Sequence, residues 1–253
     1  AAAPLIRLRV EGCAAPGRTL TLRFAAGLAA SRLAMDTLGG VVWRPLHKVY
    51  DPTFWPLQHF CHVRDDASDR GLALCLSLPG AVSYGPAGSL EVIALRNATH
   101  ERAWGLLPLL ATPAAGRELL SHTFDCGLLF TSAGDWRENR LLHAARALAD
   151  RPWDTTGRAG LRVLAASVVT VDHPDVVVSA VKPASRGAGL IARLMAPSAP
   201  GSGVAVAAPG RSIEAACLCD ARERDLMALE VRDGAAHLTM PGAIATVRLL
   251  TLP

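Results

Sequence analysis

Short apolar stretches that alternate residue by residue, each closed by glycine or proline, recur along this 253-residue chain. A period of two sends successive side chains to opposite faces of an extended strand, so a chain written this way must build sheets. In Leu5–Val10, Ile6, Leu8 and Val10 oppose Leu5, Arg7 and Arg9. In Thr19–Phe24, Leu20, Leu22 and Phe24 share one face, and Gly12 and Pro16-Gly17 turn the chain between the two stretches. Gly40–Val42, Leu57–Val63, Gly71–Leu78, Ser89–Leu95 and Cys126–Thr131 continue the series, with turns at Pro79-Gly80 and Gly85-Pro86. The second half predicts strands at Leu161–Leu164, Ser167–Val171, Val176–Val181, Leu190–Leu194 and Gly203–Ala207. It predicts more at Ala215–Leu218, Leu226–Val231, Ala235–Met240 and Ile244–Leu250. Asp233-Gly234 is a two-residue hairpin signal, because such turns need positive φ at both positions.

One stretch has helical spacing. Asp135 with Glu138 three residues on has the spacing of a capping box, and Leu141, Ala145 and Leu148 then share a face. Pro152 cannot continue a helix, so the pattern predicts one over about 136–150. A single helix among so many strands excludes an alternating βαβ design; the fold class is all-β, of sandwich type. The small polar stretch 154–160 separates two expected domains, 1–153 and 154–253.

Composition narrows the function classes. At 51% hydrophobic and 19% charged residues, the chain is not of the disordered class. No apolar run approaches the roughly 18 residues of a membrane span. The start, Ala1-Ala2-Ala3-Pro4-Leu5, lacks the charged-then-apolar order of a signal peptide. Six cysteines at irregular spacing suit a reducing compartment, so a cytoplasmic protein is expected. Net charge is +4, and among 26 basic residues only Lys48 and Lys182 are lysines. The arginines are spread along the chain among acids rather than clustered, so no nucleic-acid surface is expected.

No complete catalytic motif is present. Nucleophile-elbow and phosphate-loop patterns are absent. Gly187-Ala188-Gly189-Leu190-Ile191-Ala192 has a dinucleotide-like spacing but no helix signal after it, and reads as a hairpin. His59, Cys61 and His62 are possible metal ligands, but on a strand residue 62 points away from 59 and 61. Asp65, Asp66 and Asp69 crowd one loop, whereas glycoside hydrolysis needs carboxylates facing each other across a cleft; a solvated loop is expected. An acid and base from His59 with Asp65 or Asp66 would suit sugar anomerisation only if they met in one cleft. Asn97-Ala98-Thr99 fits a glycosylation sequon without a secretion signal. Trp43, Tyr50, Phe54, Trp55 and Phe60 could stack sugars or fill a core.

Several stretches resemble the carboxy-terminal β region of family 38 glycoside hydrolases, the α-mannosidases. Val176–Pro183, VVVSAVKP, is similar to that family's VLSALKP strand, and Gly189–Leu194, GLIARL, follows like its GLIxRL. Cys219–Leu226, CDARERDL, and Ile244–Leu249, IATVRL, are similar to the family's xDALExPL and EIKTLRL. Upstream, Gly39–Pro45, Gly71–Leu74, Gly88–Arg96 and Gly134–Glu138 (GDWRE) resemble further family motifs, so the resemblance covers about residues 19–250. Departures are Ser132-Ala133, where the family often has Pro-His, and Ala243 where it has Glu.

The resemblance implies a portion of a galactose-mutarotase-like supersandwich, then a smaller terminal β-sandwich, with one short α-helix. It implies that the nucleophile, the acid/base and a zinc ion belong to an amino-terminal catalytic domain absent from this sequence, and that these β domains pack on it. The chain, which begins without Met, is then expected to be the last part of a longer hydrolase acting on carbohydrate, and inactive alone. No catalytic residue, metal ligand or cofactor is expected within it. Arg96 matches a segment that in some members carries an arginine near substrate. The alternative is a stand-alone carbohydrate-binding or scaffold module.

Overall fold

The computed structural model describes residues 5–38, 40–46, 54–85, 88–97, 121–149, 167–197 and 200–252. They form eighteen strands and one helix, in two compact units: Ala1–Leu38 with Val42–Arg151, and Gly39–Val41 with Pro152–Pro253.

The first unit contains two antiparallel sheets, save that Gly40 and Val41, the first two residues of one strand, fall in the second unit. Its strands are β1 (Ile6–Gly12), β2 (Thr19–Ala25), β3 (Arg32–Thr37), β4 (Gly40–Pro45), β5 (Trp55–Leu57), β6 (Phe60–Arg64), β7 (Gly71–Leu76), β8 (Gly80–Tyr84), β9 (Ser89–Arg96) and β10 (His122–Thr131). Six run in the order β1-β10-β7-β6-β3-β4 and four in the order β2-β9-β8-β5. Leu33, Met35, Cys61, Val63, Leu72, Leu74 and Leu76 from the larger sheet share one core with Leu57, Val82, Leu90 and Val92 from the smaller. These are alternate residues on each strand, as the pleat requires. Burying each such leucine contributes about 1.5–3 kcal/mol.

The intervening residues face the other way, and at the centre of the sheet they are buried too. The helix α1 (Leu141–Ala149) lies against β6, β7 and β10. It buries Leu141, Leu142 and Ala145, while Phe60, Ala73 and Cys75 of the sheet are inaccessible. Strand β7 is therefore buried along its whole length. Gly71 is forced by this crowding, because a Cβ there would lie 2.4 Å from Thr131 Oγ1 and 2.5 Å from His62 Nε2.

The helix begins later than its capping box predicts. The box itself forms: Asp135 N donates to Glu138 Oε2 (2.6 Å), and Arg137 N donates to Asp135 Oδ1 (2.7 Å). It caps one isolated turn. Arg140 sits at φ 52°, its N donates to Arg137 O, and Leu141 N donates to Trp136 O. That pair of bonds is a Schellman closure, here around arginine rather than glycine. The chain then re-enters helix at Leu141.

Other boundaries shift for topological reasons. The predicted Leu57–Val63 strand splits at Gln58-His59, where the chain passes from the smaller sheet to the larger. Gln58 N and His59 O bond to Asp36 O and Leu76 N instead of continuing a ladder. β1 and β2 do not pair, since each belongs to a different sheet. β3 and β8 were not predicted: β3 is apolar on both faces, and β8 lies wholly between two turn signals. Leu161–Leu164 lies outside the described residues.

The second unit is one antiparallel sheet of eight strands. These are β11 (Thr170–Val171), β12 (Val177–Pro183), β13 (Leu190–Met195), β14 (Gly203–Ala207), β15 (Ser212–Cys219), β16 (Asp225–Arg232), β17 (Ala235–Thr239) and β18 (Ile244–Leu252). The order is β11-β14-β17-β16-β15-β18-β13-β12. Val204 and Val206 near one end share a core with Leu194 near the other, with Leu238, Val247 and Leu249 between, so the sheet curls around its own apolar face. Arg232 pairs with Ala235, and both residues between have positive φ (Asp233 51°, Gly234 76°), the expected hairpin. Gly187-Ala188-Gly189 likewise turns β12 into β13, with Pro183 opposite Leu190.

Candidate functional site

The sequence-derived candidates do not converge. Cys61 is buried in the first unit's core, while His62, on the opposite face of β6, lies 3.1 Å from Thr131 Oγ1. Desolvation, aided by the nearby Arg64 charge, pulls the His62 pKa down to about 4, so the ring is neutral at physiological pH. Among the described residues, no three His, Cys, Asp or Glu side chains are grouped to hold a metal, so they offer no cradle for zinc.

The acidic loop is solvent-exposed at Asp66, Ala67 and Ser68, as expected, while Asp65 at its start is buried and tied into the fold. Asp65 accepts hydrogen bonds from the backbone N of Ala29 (2.8 Å), Ala67 (3.0 Å) and Ser68 (2.7 Å). These bonds, Ala29 first, hold its carboxyl down to about pH 2. Asp69 pairs with Arg64 at 2.9 Å and accepts from Gly134 N. Carboxylates so engaged are not placed to exchange protons with a substrate.

The aromatic stretch also disperses. Phe60 packs on Trp136 with ring centroids 5.8 Å apart. Arg32 stacks over Trp43 at 4.3 Å and Arg44 over Trp55 at 4.5 Å. Trp43 and Arg44 are successive residues of β4 and point to opposite faces. Tyr50 lies outside the described residues. Asn97 is buried and its Nδ2 donates to Ala14 O at 2.9 Å, so this side chain is engaged within the fold. Arg96 is exposed at the end of β9, opposite Thr19 of β2.

Two polar clusters were missed. Beneath α1, Asp36 is 2% exposed and its Oδ2 has no hydrogen-bond partner among the described residues. Burial pushes its pKa up to about 6, against the His59 backbone hydrogen bond and the Arg146 charge, which lower it. In the second unit, Glu223 binds Lys182 Nζ and accepts from Ser185 N (2.7 Å), joining the 220–224 turn to the β12–β13 hairpin. The hydrogen bond from Lys182, then that from Ser185, holds the Glu223 carboxyl down to about pH 2.

A shallow cleft of about 460 Å³ lies on the outer face of the second unit. Asp172, Ala205, His237 and Glu230 form a row across it, one residue from each of four adjacent segments. Gly203 and Ala205 give it a floor of small residues, and Arg232 and Thr239 flank the row. The sequence signal is faint: the outward positions of β14 are Gly203, Ala205 and Ala207, where a surface strand more often carries large polar side chains.

The architecture defines a class: an all-β protein of sandwich type, with no assembled catalytic constellation among the described residues. No family model matches the sequence, and no curated protein matches it. Solved structures do. Over 97% of its length the chain superposes on an α-mannosidase from Enterococcus faecalis V583, with a TM-score of 0.71 and 20% identity. Over 96% it superposes on a glycosyl hydrolase family 38 protein from Enterococcus faecalis, with a TM-score of 0.70 and 21% identity. The fold is thus that of a segment of these enzymes, and the chain spans only 27% and 28% of their lengths.

Proposed function

We propose that this chain is the non-catalytic carboxy-terminal β region of an α-mannosidase-type glycoside hydrolase, packing on and completing an amino-terminal catalytic domain. The observation that carries this is the asymmetry of the superposition: nearly all of this chain, about a quarter of its neighbours. The ordered motifs from Gly39 to Leu249 support the same reading. In the parent, a carboxylate would attack the anomeric carbon, and water would release the sugar from the glycosyl-enzyme, the second carboxyl serving first as acid and then as base. Zinc would belong to the catalytic domain, where it would orient sugar hydroxyls. Arg96, exposed at a strand end, would reach toward substrate from this side. Six free cysteines support a reducing, cytoplasmic setting.

The test is the reading frame upstream of Ala1. It should encode an α/β domain with His and Asp zinc ligands and a nucleophilic Asp. The purified chain alone should cleave no aryl mannoside, and activity should appear when it is joined to that domain. An upstream frame without such a domain, or hydrolysis by this chain alone, would overturn the reading.

A further inference from the structure

The cleft on the second unit is chemically mixed in a way that narrows its ligand. Across three inter-strand spacings, about 14 Å, it sets Asp172 at one side and Glu230 and Arg232 at the other. Asp172 is held by the backbone: Ala205 N donates to its Oδ1 at 2.7 Å, and Asp172 N donates to Ala205 O. Among the described residues, Glu230 and Arg232 make no side-chain hydrogen bond or ion pair. Some charges elsewhere in the same unit are paired, as in Arg224 with Asp220 and Arg248 with Asp225. His237 Nε2, between them, is shielded from solvent without a hydrogen-bond partner among the described residues. A buried polar atom left so is normally matched by water or ligand.

Two carboxylates repel an anion. Arg232 disfavours a cation, and no metal-ligating trio is assembled. β14, β17 and β16 bond to one another beneath the cleft, so an extended peptide finds no free strand edge there. What fits is a small neutral polyol: its hydroxyls donate to Asp172 and Glu230, accept from Arg232 and Thr239, and can donate to His237 after a slight side-chain shift. Gly203 and Ala205 leave room for a ring to lie against the backbone.

We propose that this cleft is a saccharide-binding site. The choice of mannose as first probe rests on the hydrolase reading; the chemistry of the cleft does not. The test is NMR titration of the isotopically labelled 253-residue chain with methyl α-mannoside, methyl α-glucoside and myo-inositol. Amide shifts confined to β14, β16 and β17, saturating at millimolar saccharide, are expected. Glu230→Gln, at an exposed position, should weaken binding about tenfold, the loss of one charge-assisted hydrogen bond. Ala205→Leu should abolish binding by filling the floor, with the melting temperature reported alongside. No saturating shifts in these strands, or unchanged affinity in both variants, would overturn the proposal. The upstream frame is decided separately. A catalytic domain encoded there beside a silent cleft sinks only this inference, and a binding cleft without that domain sinks only the hydrolase reading.

Discussion

Asp36 lies between the larger sheet of the first unit and α1, almost wholly buried. Asp36→Asn keeps the shape and one acceptor oxygen while removing the charge. The carboxyl stays protonated to about pH 6 in the folded chain rather than to its ordinary 3.8. Below 3.8 both states carry the proton and the substitution should be nearly silent. As pH rises from 3.8 to 6 the unfolded chain ionises first, and stability drains away. Above 6 the folded chain carries an ionised group in an apolar layer, at a cost of up to about 3 kcal/mol. Attraction to Arg146 is already counted in that figure, and an amide is itself not free to bury, so a gain of about 1–3 kcal/mol at pH 7.5 is expected. The assay is urea unfolding of both proteins at intervals from pH 4 to 7.5, compared as a difference. Taking the difference matters, because His62, neutral in the folded chain down to about pH 4, lowers stability as pH falls from 6.5 toward 4 and would mask the effect in either curve alone. If the variant is less stable than the parent at pH 7.5, the charge is a net asset through Arg146 and the reasoning is refuted.

Other outcomes follow from the packing. Leu74→Ala, at a fully buried position of β7, should cost about 2–5 kcal/mol in chemical unfolding; a loss below 1 kcal/mol would mean that the two sheets are not packed there. Gly234→Ala, at φ 76°, should cost about 1–2 kcal/mol, read as a drop in melting temperature. Thiol labelling of the native chain should be rapid at exposed Cys13 and slower at Cys217. Cys75 and Cys126 should react only on unfolding, because burial raises their pKa to about 12 and about 11; prompt reaction of either would contradict the described core.

Strands with one wet face were legible in the sequence, because alternation is itself the signal. Thr19–Ala25 and Ala235–Thr239 were found nearly to the residue. Arg32–Thr37 was not, because Leu33, Ala34, Met35 and Asp36 are buried on both faces and leave no alternation to read. Asp135 and Glu138 did form their box, but Arg140 closed the turn in a left-handed conformation that composition does not announce. The candidate sites suffered from the reverse error. Trp43, Trp55 and Phe60 are near in sequence and far apart in role, since strands separate what the chain keeps adjacent. The cleft gathers residues from 172 to 239, drawn from three strands and the residue after β11, a grouping that exists only once the register is known.

The pairing of β1 with β10 sets Arg9 against Asp125, 116 positions later. Closing a loop of that size costs about 4 kcal/mol of chain entropy before any contact repays it. On a ribosome adding roughly 5–20 residues per second, β1 would wait on the order of ten seconds for its partner. During that time Ile6, Leu8 and Val10 form an unpaired apolar strand. The second unit has no such delay across β12–β13, β15–β16 and β16–β17, each a pairing of consecutive strands. The topology therefore places a kinetic weak point at β1: conditions that slow translation should aggravate aggregation through β1, not through these hairpin pairings of the second unit.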